Sequence, residues 1–175
     1  TVQSGKSHFG PDALRAFDHA YEMEDAGNGG EERWVRCLRE RPRDQPFFAW
    51  FAAIDAHRGW GADDFGLPHD ASKVIVPPYL VDDAATRRDL ASYYNEIARF
   101  DHYVGEVVRE LRRQEILEQT VIVVMSDNGM PFPRCKGNLY DWGARVPLAI
   151  RWGREIANPG RVIDDFVSFI DVAPT

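Results

Sequence analysis

Polar side chains follow directly on a run of apolar residues in TVIVVMSDNGMPFP, residues 120–133. Ser126, Asp127, Asn128 and Gly129 stand where a strand would end. A carboxylate beside an amide carbonyl offers oxygen ligands, which suit calcium or magnesium better than zinc. Aspartate, asparagine and glycine also make ordinary turns, and on these four residues alone a turn is the favoured interpretation. A calcium site needs more than two oxygens, so further ligands would have to come from elsewhere in the fold.

Two lysines and two histidines lie in loops where they could surround one ligand. Lys6 and His8 are two residues apart in GKSHFG, a spacing that puts both side chains on one side of an extended chain. His57 follows the apolar run at residues 46–54, and Lys136 lies in the loop after the candidate metal ligands. Taken singly, such lysines are usually solvated and such a histidine is usually structural. Together they predict a site for a sulfuryl or phosphoryl group, whose reaction depends mainly on positioning and charge stabilisation.

The surrounding elements predict an α/β fold, a sandwich with a central, mostly parallel or mixed sheet flanked by helices. Residues 46–54 are predicted to be a strand buried on both faces, residues 120–126 a buried strand, and VPLAIRW a further strand. GEERWVRCLRERP has helical spacing and stops at Pro42. Ligands of such sheets bind beyond the carboxyl ends of the strands. We therefore expect the first two strands to share one sheet, with His57 and Asp127 on the same edge.

Residues 83–114 predict the longest helix. Apolar residues that recur there at steps of three and four should face the core: Leu90, Tyr93, Tyr94, Ile97, Phe100, Val104, Val107, Val108 and Leu111. Asp101 lies on the same stripe, and we interpret it as a buried, hydrogen-bonded structural carboxylate. Because glycine weakens a helix by roughly 1 kcal/mol relative to alanine, a break, if one occurs, is expected near Gly105. Residues 59–82 are rich in Gly, Pro and Asp and predict a long surface loop.

The composition argues against several classes of protein. Hydrophobic residues make up 44% and charged residues 28%, as in a folded globular domain. The net charge of −7 argues against general nucleic-acid binding, and no apolar run is long enough to span a membrane. Cys37 and Cys135 form no C-x-x-C pair, so neither a disulfide scaffold nor a cysteine zinc site is indicated. With no N-x-S/T sequon or signal peptide in the chain, the bacterial cytoplasm or periplasm is favoured over a glycosylated lysosomal protein.

The order of the motifs resembles that of the sulfatase family, within the alkaline-phosphatase superfamily. The matching blocks include GKSHFGP, PFFAWFAAIDAHRG, TVIVVMSDNGMPFP and NLYDWGARVPLAIRWG. FDHAY, AHRGWG and SDNGMPFP with the following NLY resemble the sulfamidase-like (heparan N-sulfatase-like) branch most closely. The resemblance covers essentially the whole chain. It implies an α/β sandwich around a large mixed sheet and the hydrolysis of a sulfuric ester or sulfamate.

The resemblance also implies roles for six residues. The expected catalytic residues are Lys6, His8, His57 and Lys136. Three of them, Lys6, His57 and Lys136, would also bind the sulfate group. Asp127 and Asn128 match two ligands of the family's calcium ion, for which magnesium is the alternative. Whether His8 or His57 protonates the leaving group stays open.

Parts of the family's site are not found in these 175 residues. One is the C-x-P-S-R type segment whose cysteine becomes the formylglycine nucleophile, and the other is an acidic pair of metal ligands. Cys37 is followed by LRER and Cys135 by KGNL, and neither fits the segment. In the family, both parts precede the G-K-x-H block. We therefore expect residues 1–175 to be the central-to-C-terminal portion of one sulfatase catalytic domain, truncated at both ends and inactive alone.

Two other functions remain open at this point. The first is a phosphatase, phosphodiesterase or phosphonate hydrolase of the same superfamily, and the second is a non-catalytic pseudoenzyme domain. The expected ligand is a sulfated small molecule or sugar, with N-sulfoglucosamine, an O-sulfated sugar and an aryl sulfate all open. A net charge of −7 repels a long polyanion, which favours a monosaccharide or a chain end as the substrate. The oligomeric state is also left open.

Overall fold

The computed structural model describes residues 1–8, 10–22, 27, 29–61, 66, 68–153 and 155–174. The strands are β1 (Val2–Gly5), β2 (His19–Tyr21), β3 (Ala49–Ala52), β4 (Val121–Met125) and β5 (Leu148–Trp152). The helices are α1 (Gly10–Leu14), α2 (Trp34–Glu40), α3 (Ala84–Arg113) and α4 (Asp141–Ala144), with short 3-10 turns at Leu117–Gln119 and Phe169–Asp171. Within the described ranges, no helix combines the length and apolar character needed to cross a membrane.

The described strands form two sheets. One is parallel, in the order β2-β1-β3, and it pairs Gly5 with Ala52. The other is the antiparallel pair β4-β5, which aligns Met125 with Leu148. The α/β class with a parallel sheet flanked by helices is therefore confirmed. The expectation that β3 and β4 share one sheet is wrong for the described residues, because β4 pairs with the strand that follows it in the chain.

Each predicted buried strand has one face open. Phe48, just before β3, and Trp50, within β3, are exposed, and along β4 the side chains alternate between exposed and half-buried. The covered face of β4 includes Ile122, which packs near Leu111 and Leu117. The prediction of burial on both faces is therefore wrong, because only one face of these apolar runs is covered by described residues.

Helix α3 runs unbroken over 30 residues, close to the predicted range of 83–114. It begins after Asp83, whose side chain accepts a hydrogen bond from the backbone N–H of Thr86 and caps the first turn. Its last turn carries Arg112 and Arg113, which suit the negative end of the helix dipole. There is no break at Gly105.

The apolar stripe of α3 packs into two clusters. The first consists of Val74, Leu90, Ala91, Phe132 and Cys135. The second consists of Leu38, Leu111 and Leu117. Ile97 is 40% exposed and Asp101 is also exposed, so the prediction that both are buried is wrong. These two residues are four apart and share one line of the helix surface, which neither cluster covers.

Trp34 of α2 joins the parallel sheet to helix α3. Its ring is buried, stacks on Phe51 of β3 at 5.5 Å and meets Phe100 of α3 edge-on at 6.0 Å. Such aromatic pairs add to the stabilisation from burial. The carboxyl end of β3 is therefore held at a set distance from α3. The predicted surface loop 59–82 connects these two elements, and its residues 62–65 and 67 lie outside the described residues.

Candidate active site

The first two predicted motifs meet at one edge of the parallel sheet. The backbone N–H of Lys6 donates to the carbonyl of Ala52 at 2.8 Å, directly after the β1-β3 pairing ends. Lys6 is half-buried, whereas His8 is exposed. The chain leaves β3 at the same edge and reaches His57 five residues after Ala52. The parallel pairing of β1 and β3 thus brings the GKSH and DAHRG motifs together.

The hydrogen bonding of His57 selects one ring nitrogen for a ligand. Its side chain is exposed, and Nδ1 lies within hydrogen-bonding distance of the carbonyl of Arg58. A carbonyl only accepts, so Nδ1 carries the hydrogen in this contact. Nε2 is then the nitrogen left to accept or donate a proton at a bound group.

Arg58 fastens this loop to the loop that follows β4. Its Nε donates to the carbonyl of Pro131 at 2.7 Å, and its two terminal nitrogens bind the carboxylate of Asp89 on α3. The guanidinium also lies over the rings of Trp60 and Phe132, at 5.1 and 4.8 Å. Sequence reasoning assigned no role to Arg58. The run of aromatic residues on both sides of the contact was the signal for this role, since arginine stacks well on aromatic rings.

The SDNG segment forms a tight turn at the end of β4. Ser126 Oγ donates to the carbonyl of Asn128 at 2.8 Å, and Asn128 Nδ2 donates to the carbonyl of Gly129 at 2.9 Å. These bonds leave the Asn128 side-chain oxygen and the exposed carboxylate of Asp127 as acceptors. Gly129 is buried against α4, where an added Cβ would come within 2.2 Å of the carbonyl of Trp142. Only glycine allows this close approach of the two backbones.

The backbone of Lys136 bonds to the start of the loop that follows β4. Its backbone N–H donates to the carbonyl of Met130 at 3.1 Å, two residues after Asn128. The Lys136 side chain is exposed. Backbone contacts and the Arg58 side chain therefore connect the loops that carry all six predicted site residues. In the described part of the chain, none of the six side chains forms a hydrogen bond or ion pair with another.

A second group of ionisable residues lies behind His57 and was missed by sequence reasoning. We call it the carboxyl cluster, and its members are Glu31, Asp55, Glu96 and Arg99. Nε and Nη2 of Arg99 each donate to Asp55 at 2.6 Å, and Glu96 accepts from the backbone N–H of Gly61 at 2.7 Å. The presence of Glu96 and Arg99 beside the apolar stripe of α3, three residues apart, was the available signal.

Burial controls the protonation of this cluster. Burial first, and then the charge of Asp55, raise the pKa of Glu31 to about 8. Burial, together with a hydrogen bond to Asp55, raises the pKa of Glu96 to about 7. The guanidinium of Arg99 has a raised pKa because of its bonds to Asp55. The cluster therefore holds protons at neutral pH that free carboxyl groups would have released.

Comparison with models of protein families identifies the family of this chain. The model of the sulfatase family matches residues 32–175. The chain belongs to the sulfatase family. The matched range contains the carboxyl cluster except Glu31, and it contains the loops of His57, Asp127 and Lys136.

Several curated sulfatases are similar to this chain. N-sulphoglucosamine sulphohydrolase of Homo sapiens is 32% identical over 98% of this chain and 40% of its own length. An ulvan-active sulfatase of Formosa agariphila is 30% identical over 78% of this chain and 29% of its own length. Steryl-sulfatase of Mus musculus is 31% identical over 48% of this chain and 16% of its own length. The sulfatase chain described here thus spans well under half the length of these relatives.

Neither cysteine of this sulfatase chain is placed to react. Cys37 and Cys135 are free and buried, and burial raises the pKa of the Cys37 thiol. Cys135 lies 3.0 Å from the hydroxyl of Tyr79, inside the first apolar cluster. Both thiols are inaccessible, which agrees with the prediction that neither occupies the nucleophile segment.

Asp127 and Asn128 fit part of a metal shell. Their free atoms are oxygens, the ligands that calcium and magnesium prefer. Among the residues that the structure describes, no group of three or more His, Cys, Asp or Glu side chains could hold a metal ion. The two residues would therefore supply only part of the oxygen shell of a calcium ion.

Proposed function

We propose that this chain is part of a hydrolase that cleaves sulfuric esters or sulfamates. The observation that carries the proposal is that hydrogen bonds hold three loops together in a member of the sulfatase family. Lys6 bonds to the end of β3, and Arg58 ties the next loop to Pro131 beside the SDNG turn. Two lysines, two histidines and two oxygen ligands are thereby carried on neighbouring loops, a composition suited to a small, strongly charged oxyanion.

The site residues of the chain would have different roles in the reaction. Lys6 and Lys136 place positive charge beside the sulfuryl oxygens, where negative charge is concentrated in the transition state. His57 presents Nε2, because Nδ1 is engaged with a carbonyl. His8 or His57 protonates the nitrogen or oxygen that leaves the sulfur atom. Protonation prevents the expulsion of a strongly basic anion.

A metal ion and a nucleophile complete the proposal. Asp127 and Asn128 would hold calcium, or magnesium, which when bound supplies positive charge to the sulfuryl group. We infer that the nucleophile is a formylglycine outside these 175 residues, because both cysteines here are buried.

We further infer that the substrate is a small sulfated sugar or the end of a sulfated chain. The relative that aligns with 98% of this chain carries the name N-sulphoglucosamine sulphohydrolase, which makes an N-sulfated amino sugar the first compound to test. The chain carries a net charge of −7. This charge repels a long polyanion and does so much less for a single sulfated residue.

The test compares this chain with the protein encoded by its complete reading frame. Both are assayed for sulfate release from N-sulfoglucosamine and an aryl sulfate, with calcium present, and for phosphate release from an aryl phosphate. We expect the longer protein to release sulfate and the 175-residue chain to release none. Sulfate release by the 175-residue chain would contradict the assignment of the nucleophile. Faster release of phosphate than of sulfate would instead identify a phosphatase of the same superfamily.

The metal ligands are tested by one substitution and a matched control. Asp127→Ala in the longer protein should abolish turnover and leave the unfolding temperature nearly unchanged, since its carboxylate is exposed. Asp44→Ala removes another exposed carboxylate, from a loop away from the site, and should leave turnover intact. Near-normal activity of Asp127→Ala would show that SDNG is only a turn.

A further inference from the structure

Side chains of helix α3 bind the loop that carries His57 on both sides of that residue. Before His57, Arg99 binds Asp55 through two hydrogen bonds of 2.6 Å. After it, Asp89 accepts from Arg58 and from Trp60 Nε1, which lies 2.7 Å away. Glu96 accepts from the backbone N–H of Gly61 farther along the loop. The three helix residues are spaced by seven and three, so they share one face of α3.

The bond between Arg99 and Asp55 is the most buried of these contacts. The side chain of Asp55 is fully buried and that of Arg99 is 13% exposed. A paired, planar bond between guanidinium and carboxylate fixes direction as well as distance. Asp55 stands two residues before His57, so the direction of the chain at His57 depends on how Asp55 is held.

The charge around Asp55 is not balanced if every carboxyl group is ionised. Arg99 supplies one positive charge, while Asp55, Glu31 and Glu96 supply three carboxyl groups. Glu31 is 1% exposed, and neither of its oxygens has a hydrogen-bond donor among the described residues. Asp55 is close enough to Glu31 and to Glu96 to raise the pKa of both carboxyl groups. Two carboxylates only accept, so a proton on one of them is the missing donor.

Burial and the charge of Asp55 favour that proton, and Arg99 opposes it. Helix α3 also contributes Tyr103, which is close enough to Glu31, Glu32 and Arg99 for their charges to affect its pKa. Burial raises the pKa of the Tyr103 phenol, so it stays neutral and adds no negative charge. The backbone of Gly29 lies against the cluster, where an added Cβ would come within 2.1 Å of Glu31 Oε2. Arg99 is thus the cation that these described elements direct at Glu31.

We propose that Arg99 is a positioning residue for His57, which it fixes through Asp55, and that a neutral Glu31 is required to keep this arrangement. The proposal rests on the proposed function only in assigning His57 to the sulfate group. Arg99 itself touches no substrate. It acts by holding the loop that leaves β3, in a cluster that stays closed while Glu31 keeps its proton.

The proposal implies a loss of order at alkaline pH. The pKa of Glu31 is raised from 4.5 to about 8, so the folded chain binds more protons than the unfolded chain between these values. The stabilisation is therefore complete below pH 4.5 and declines as the pH rises towards 8. Above that pH, Glu31 and Asp55 repel each other, and the loop of His57 should loosen.

The experiment uses three variants of the protein encoded by the complete reading frame. Arg99→Lys keeps the charge but removes the paired bond, and Glu31→Gln replaces the protonated acid with an amide that can still donate to Asp55. Arg109→Lys is the control, because Arg109 is an exposed arginine on the same helix, paired with Glu106. The readouts are kcat and KM from pH 6 to pH 9.5, and the NMR signal of the His57 ring nitrogens, which is assigned with His57→Gln.

Each variant has a distinct expected result. Arg99→Lys should lower kcat about ten- to hundredfold, as for a misplaced catalytic group, with a smaller change in KM. Its His57 signal should differ from that of the parent at pH 7. Glu31→Gln should match the parent at pH 7 and should lose less of its activity and of its His57 signal than the parent between pH 8 and pH 9.5, because Glu96 titrates in both proteins. Arg109→Lys should match the parent throughout.

The NMR signal separates this proposal from the proposed function. If the protein releases no sulfate, the His57 spectra of the same variants still decide whether Arg99 positions the ring. A His57 signal in Arg99→Lys equal to that of the parent would overturn the proposal. If Arg99→Lys does not fold, Glu31→Gln decides alone, and an alkaline loss in Glu31→Gln equal to that of the parent would overturn it.

Discussion

Replacing Arg58 with alanine should separate the loop of His57 from the loop of the SDNG turn. The change removes the bond from Nε to the carbonyl of Pro131 and the ion pair with Asp89. It also removes the cation that lies between the rings of Trp60 and Phe132. The stacked contact of those two rings would remain between the loops.

The expected loss in the free energy of unfolding follows from the exposure of these groups. Arg58 is 45% and Asp89 31% exposed, so the ion pair is worth less than about 1 kcal/mol. The bond to the carbonyl of Pro131 adds about 1 kcal/mol, and the contact with the rings about 0.5–1 kcal/mol. Because these contributions overlap, the expected loss in the free energy of unfolding is about 2 kcal/mol. For a chain of this size that lowers the melting temperature by roughly 4–8 °C.

Arg151→Ala is the matched control. Arg151 also pairs with a carboxylate, Glu118 at 2.6 Å, and also donates to a backbone carbonyl, that of Leu117 at 2.8 Å. Its contacts lie beside β5, away from the candidate site. Both variants should lose comparable stability in urea or thermal unfolding. When both variants are made in the longer protein, only Arg58→Ala should lose sulfatase activity.

A second assay needs no enzymatic activity. Trypsin cuts after Arg134 and Lys136, which lie in the loop that Arg58 secures. Cleavage there, measured by mass spectrometry, should be faster in Arg58→Ala than in Arg151→Ala at equal overall stability. Equal cleavage rates, or an equal loss of activity in the two variants, would refute the idea that Arg58 joins the two loops.

Three further predictions concern the packing, a buried carboxylate and the SDNG turn. Leu90→Ala removes a fully buried side chain and should cost about 2–5 kcal/mol in urea unfolding. Ile97→Ala should cost well under half of that, because Ile97 is 40% exposed; similar costs would contradict the burial pattern. The pKa of Glu110 is lowered from 4.5 to about 2 by its bonds to arginine and glutamine, so its stabilisation is present above pH 4.5 and is lost as the pH falls towards 2. Glu110→Gln should therefore be less stable than the parent at pH 6, and the difference should shrink at pH 3; a constant difference would be the contrary result. Gly129→Ala would force Cβ to within 2.2 Å of the carbonyl of Trp142, so we expect weaker calcium binding by calorimetry in the longer protein; unchanged binding would disprove the need for close approach there.

The local elements were predictable because their signals are local. The capping residue Asp83 and the repeat of apolar residues place α3 within one residue at each end. The strand at 121–125 follows from its run of β-branched residues. The loops that carry Lys6 and His57 were also placed correctly at strand ends, although the chemical roles of the two residues stay predictions.

The choice of partners was not predictable from the same signals. An apolar run predicts a strand, but it does not say whether that strand pairs with a distant strand or with the next one in the chain. Ile97 and Asp101 follow the period of the helix, yet the described clusters pack on either side of them and leave both exposed. Arg99 and Glu96 have the types of a solvated helix surface. Their burial depends on Asp55, which comes from a different part of the sequence.

The two sheets also differ in how early they can form during folding. Helix α3 depends on local contacts, and β4 and β5 are separated only by residues 126–147, which include α4. The parallel sheet must instead pair Val2 with Ala49, across β2 and α2, and closing so long a segment is slow. The helix and the antiparallel pair should therefore gain protection from hydrogen exchange first. The contact between Lys6 and Ala52, on which the candidate site depends, would then be among the last steps of folding.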